Sequence, residues 1–159
     1  MKKRLITAVI AVTAVIFLIL AVSVFFRPHP LTLELSNSET GKVYRTFAVK
    51  EGTEFSVSFV HSVNKSPVTD VFVIRDDKIY VDRTVYSAFG AGVQSTLEPG
   101  QKLSYDDDGN MIVSGFGTVF PEVKYIVGTV YDHELEINGE KISLTELCGR
   151  NAHVCFRLR

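Results

Sequence analysis

The chain has 159 residues, 46% of them hydrophobic and 22% charged, with 11 Phe and 6 Tyr; this excludes a disordered polymer and supplies one domain's core without help from a metal or disulfide. The net charge of −1 hides an asymmetry: Lys2, Lys3, Arg4 and Arg27 flank the first apolar run, and beyond Arg27 only 13 basic residues meet 18 acidic ones, a net of −5. A mildly acidic domain without clustered Lys and Arg is excluded as a nucleic-acid binder and is poorly suited to an anionic lipid surface.

Residues 5–26 read LITAVIAVTAVIFLILAVSVFF, 22 residues with no charge, Gly or Pro. As a helix they span about 33 Å, the depth of a bilayer's hydrocarbon core. Lys2, Lys3 and Arg4 precede the run, so the positive-inside rule leaves 1–4 in the cytoplasm and puts the remainder outside. The expected arrangement is a single-pass cell-membrane protein: a signal-anchor helix over 5–26, a stiff Arg27-Pro28-His29-Pro30 linker and an extracytoplasmic domain over 31–159. The competing reading is a cleaved signal peptide, for which Ala21 and Ser23 suit a cleavage site. Against it, the run is longer than the usual apolar core of about 7–15 residues.

Beyond the linker, period-two alternation dominates. Strands are expected over 31–35, 42–49 and 54–60, where Phe55, Val57 and Phe59 share one face and Ser56 and Ser58 the other. Residues 71–75, reaching back to 68, and 79–86 flank Asp76-Asp77 as a hairpin. Further strands are expected over 102–105, 111–114 and 125–131. Residues 133–137 and 141–144 flank Asn138-Gly139, the favoured pair for a tight hairpin turn. A short helix over 144–148 and a last strand over 154–158 complete the chain. About ten short strands predict an all-β fold, an antiparallel sandwich or small barrel, after one transmembrane helix.

Two segments stand out: VHSVNKSPVTD over 60–70 and TVYSAFGAGVQS over 84–95. Each is polar or glycine-rich and begins where a strand ends, a usual place for a ligand site on a β scaffold. In the first, His61 and Asp70 could pair by a hydrogen bond, and Lys65 could hold a carboxylate or phosphate. The plainer alternative has His61 capping a strand edge while Lys65 and Asp70 pair at the surface, a contact contributing about 0–1 kcal/mol. Ser62 beside His61 makes no catalytic dyad, because neighbouring strand residues face opposite ways. In the second, Gly90 and Gly92 either present backbone N–H groups to an anion or simply allow a sharp turn. Antiparallel pairing across Asp76-Asp77 should bring Pro67 and Val68 beside Ser87 and Phe89, with Phe89 as an apolar floor.

The HSV-x-K-x-PV-x-D and S-x-FGAG segments together resemble an uncharacterised bacterial and archaeal family, the domain of unknown function DUF1850. The resemblance runs from about residue 31 to residue 158 and includes the region from Val127 to Leu144 with His133. Asp70 stands where the family pattern has Glu, keeping the charge but shortening its reach by one methylene. The family is often encoded beside TRAP transporters of the TAXI subtype, which are associated with organic acids such as dicarboxylates and amino acids. The resemblance thus implies a non-enzymatic accessory module. Its partners would be the membrane, a TRAP transporter or its substrate-binding protein, and a small organic anion held by His61, Ser62, Lys65, Pro67, Asp70, Ser87, Phe89, Gly90 and Gly92. The alternatives are an enzyme acting on a small acidic substrate through His61, Lys65 and Asp70, and a purely structural envelope domain.

No pattern asks for a cofactor or a metal. Asp106-Asp107-Asp108-Gly109-Asn110 lacks the alternate spacing of a calcium loop and reads as a solvated turn. Cys148 and Cys155 are the only cysteines. Outside the cytoplasm they are expected to form a disulfide; two free buried thiols, or a metal site with His153, are the alternatives.

Overall fold

The computed structural model describes Phe17, residues 31–88 and residues 96–159. The expected membrane helix, apart from Phe17, and the positions Phe89, Gly90 and Gly92 lie outside the described residues. Among the described residues no helix is long and apolar enough to cross a membrane. The chain divides into two units, 1–30 and 31–159.

The second unit is built from β1 (Leu31–Asn37), β2 (Val43–Val49), β3 (Glu54–Val60), β4 (Pro67–Arg75), β5 (Lys78–Tyr86), β6 (Lys102–Tyr105), β7 (Met111–Ser114), β8 (Val119–Phe120), β9 (Val123–Ile126), β10 (His133–Ile137), β11 (Glu140–Ser143), a short helix α1 (Leu144–Cys148) and β12 (His153–Leu158). The smaller sheet has the order β2-β1-β12-β9. The larger runs β11-β10-β3-β4-β5-β7-β6, with β8 also on β5. Every pairing is antiparallel.

The alternation that marks the strands also builds the core. Leu33, Leu35, Phe47, Val154 and Phe156 of the smaller sheet meet Phe55, Val57, Phe72, Leu135 and Ile137 of the larger in one buried cluster. Phe55 stacks on Phe72 at 5.0 Å between ring centroids and leans on Phe156 at 5.6 Å, joining the sheets at their centre. Burying one such side chain contributes about 1.5–3 kcal/mol. The fold is therefore a sandwich, the first of the two expected architectures.

Both expected hairpins form. Asp76 and Asp77 have φ of 49° and 54°, and Asn138 and Gly139 have 52° and 77°, the left-handed pairs that a type I′ turn requires. The helix starts where Ser143 accepts the N–H of Glu146 on its hydroxyl at 3.0 Å.

One local expectation is corrected, and two details are added to the sequence reading. The strand expected over 125–131 ends at Ile126. Beyond it the backbone folds back so closely that a Cβ on Gly128 would lie 2.0 Å from the carbonyl oxygen of Tyr131. The two-residue β8 is too short to show periodicity and escaped the sequence reading. β4 begins at Pro67, one residue before the expected Val68, and Asp70 lies well inside the sheet.

Candidate functional site

The segment between β3 and β4 is a tight turn held by its own backbone. His61 N–H donates to the Ser66 carbonyl, and Lys65 N–H to the His61 carbonyl, both at 2.9 Å. Lys65 has a left-handed φ of 57°. His61 Nδ1 accepts the N–H of Asn64 at 3.2 Å, which in the neutral ring leaves the proton on Nε2. The β4–β5 hairpin then returns the chain to this rim. Ser87 N–H donates to the Pro67 carbonyl at 3.1 Å, and Asn64 Nδ2 donates to the Ala88 carbonyl at 3.2 Å. The two sequence-marked segments thus meet at Pro67, Ser87 and Ala88.

A cleft of about 340 Å³ opens at this rim between the His61–Lys65 turn and the 126–131 loop. His61, Ser62 and Lys65 line it together with Phe59, Tyr131 and His133. Lys65 Nζ lies 6.0 Å from the centre of the Tyr131 ring, at the edge of cation–π range. His133, on β10, stacks flat on Phe59 at 5.1 Å and 9°. Its Nδ1 accepts the N–H of Gly128 at 3.1 Å. Burial pushes the His133 imidazolium below the ordinary histidine range, against a weaker opposite pull from Asp132. His133 is therefore a neutral hydrogen-bonding group at pH 7, and Lys65 carries the positive charge of the cleft. Among the described residues that line it there is one lysine, two histidines and no aspartate or glutamate.

Asp70 does not belong to this cleft. It sits on the inner face of β4, opposite Val57 on one side and Thr84 on the other. Thr84 donates its hydroxyl to Asp70 Oδ1 at 2.8 Å, and Tyr125, from the other sheet, donates its hydroxyl to Oδ2 at 2.8 Å. The expected pairing of Asp70 with His61, and its alternative with Lys65, are both replaced by these two hydroxyls. The reason is parity: Val68, Asp70 and Phe72 point the same way along β4, into the sandwich. Burial, reinforced by the charge of Asp70, pushes the Tyr125 phenol far up, so its proton stays in place to donate. An enzyme built on His61, Lys65 and Asp70 together is not what the geometry provides.

The expected disulfide is also corrected: Cys148 and Cys155 are free thiols. Cys148, on α1, packs against the core cluster. Cys155 lies between Val154 and Phe156, which face the core, and so points to the opposite face of β12. There its thiol donates to Glu122 Oε2 at 3.4 Å. Among the described residues no group of three His, Cys, Asp or Glu side chains is arranged to hold a metal ion. The Asp106–Asn110 segment is a turn in which Asp106 Oδ1 accepts the N–H groups of Asp108 and Asn110.

His133 and Tyr131 were not singled out as site residues in the sequence. His133 lies in an alternating strand and reads as a strand residue, while Tyr131 falls in what reads as strand. The available signal was Gly128, whose presence inside an apparent strand marks a close backbone approach.

The architecture defines an antiparallel β-sandwich domain with a small cationic cleft on one rim. The chain belongs to the family described as Domain of unknown function (DUF1850), whose model matches residues 55–144. That span runs from β3 to the first residue of α1 and holds every cleft residue named above, although it is shorter than the 31–158 implied by the sequence segments. Neither the curated proteins nor the solved structures give a match to the chain.

Proposed function

We propose that this chain is a membrane-anchored, extracytoplasmic binding module that holds a small organic anion in the His61–Lys65 cleft and serves as an accessory to a TAXI-type TRAP transporter. The observation that carries the binding reading is the charge of the cleft: Lys65 and the imidazoles of His61 and His133 line it, without a carboxylate among its described residues. A carboxylate ligand would meet the Lys65 ammonium beside two imidazoles, and charge-assisted hydrogen bonds are about twice as strong as neutral ones. The cleft's volume of about 340 Å³ suits a metabolite of a few carbons. The anchor rests on the 22-residue apolar run and the basic residues before it. The transporter link rests on the family resemblance.

The test has two arms. Full-length tagged protein, crosslinked in membranes and purified, should bring with it the membrane subunits or the substrate-binding protein of a TRAP transporter. Titration of the purified chain with small dicarboxylates and acidic amino acids should give saturable binding. Recovery of no transporter component contradicts the accessory role, and absence of binding across the panel contradicts the ligand.

A further inference from the structure

On the flank of the sandwich, between β5 and β8 of the larger sheet and β9 of the smaller, lies a groove of about 530 Å³. Its walls are mainly apolar and aromatic: Phe72, Val81, Phe116, Phe120 and Tyr125 contribute, and Asp70 is exposed to it. Its charges are unevenly matched. Glu122 pairs with both Lys124 and Arg157 and is fully compensated. Asp70 receives only the neutral hydroxyls of Thr84 and Tyr125, and among the described residues no Lys, Arg or His forms an ion pair with it.

An ionised carboxylate has about four acceptor positions, and two hydroxyls occupy half of them. The two sheets hold both oxygens from opposite sides, so the group is fixed in direction. A negative charge so held beside apolar walls attracts a cation more strongly than it would in open water. Aromatic rings around it add to that preference, because their faces are electron-rich.

We propose that this groove is a second ligand site, separate from the Lys65 cleft, which binds an organic ammonium ion: the N–H groups bond the free acceptor positions of Asp70 and the apolar body lies among Phe72, Phe116 and Phe120. Thr84 and Tyr125 act as positioning residues. An anion is disfavoured here by the same charge, and a neutral apolar molecule leaves Asp70 without its counter-ion.

Isothermal titration of the full chain in detergent, with detergent alone as blank, tests the site. The probe is 2-phenylethylamine, with 2-phenylethanol as its neutral counterpart. The amine is expected to bind saturably and about tenfold or more tighter than the alcohol, the margin of a hydrogen-bonded charge. Asp70→Asn should erase that difference. Phe120, 37% exposed at the rim, can be removed without opening the core, and Phe120→Ala should weaken the amine by about threefold. Where Asp70→Asn fails to fold, the amine–alcohol comparison and Phe120→Ala decide the matter. Equal affinity for amine and alcohol, no saturable amine binding, or amine binding unchanged in folded Phe120→Ala overturns the proposal.

Discussion

Tyr125 reaches from the edge strand of the smaller sheet to the centre of the larger one and donates its hydroxyl to Asp70 at 2.8 Å. Its ring packs edge-on to Phe156 and His133, so the side chain belongs to the core as well as to the polar contact. Tyr125→Phe keeps the ring and deletes the bond. We expect a loss of about 1–2 kcal/mol, the lower end for a bond to a charged group, because both partners line an open groove. Urea denaturation of the two proteins measures it. A variant as stable as the parent would show that the contact does not tie the sheets.

Glu122 responds to acid. Its carboxyl is pulled from the usual 4.5 down to about 2 by hydrogen bonds from Lys124, Arg157 and Cys155. A carboxyl whose folded value is depressed stabilises the fold above its unfolded value and loses that contribution as pH falls through the folded one. The Glu122 contribution is therefore complete above about pH 5 and fades towards pH 2. Melting temperature followed from pH 6 to pH 2 should fall less steeply in Glu122→Gln than in the parent. Parallel curves would contradict the assignment.

Gly128 forms the tight wall of the Lys65 cleft. A Cβ there would lie 2.0 Å from the Tyr131 carbonyl oxygen and 3.3 Å from His133 Nδ1. Relief requires the backbone to move, at a cost of about 1–3 kcal/mol or more. Gly128→Ala should lower the melting temperature and weaken anion binding together. Gly139 lies in open space with φ of 77°, so Gly139→Ala should cost only the backbone strain, about 1–2 kcal/mol, and leave binding intact.

Both cysteines are expected as thiols. Burial pushes Cys148 up to about 11 and raises Cys155 as well, so neither is a ready thiolate at neutral pH. Alkylation under native conditions should be slow. Alkylation in denaturant without reductant should add two groups per chain by mass spectrometry. Recovery of unmodified protein in denaturant would show a bridge instead.

The hairpins were legible because Asn138-Gly139 and Asp76-Asp77 encode their turns locally, and the strands because alternation is a short-range signal. The His61–Lys65 segment was legible as a rim for the same reason: it lies between two strands that pair. The partners of Asp70 were not legible. Thr84 is its neighbour only through the β4–β5 register, and Tyr125 lies 55 residues away on a different sheet. The cysteines misled because their short spacing hides a change of direction: α1 turns Cys148 towards the core while β12 turns Cys155 away from it. The membrane segment is read from the length of its apolar run and the basic residues before it, and apart from Phe17 it lies outside the described residues.

The cationic cleft is tested most directly by titrating the full chain with succinate, parent against Lys65→Ala, with thermal melts of both. Lys65 is exposed and makes no ion pair among the described residues, and its left-handed backbone already carries a Cβ, so alanine adds no strain. An anion site on Lys65 requires saturable binding to the parent, an affinity lowered about tenfold or more in Lys65→Ala, and equal melting temperatures. Equal succinate affinity in the two proteins, or a variant that loses stability without a change in binding, would contradict it.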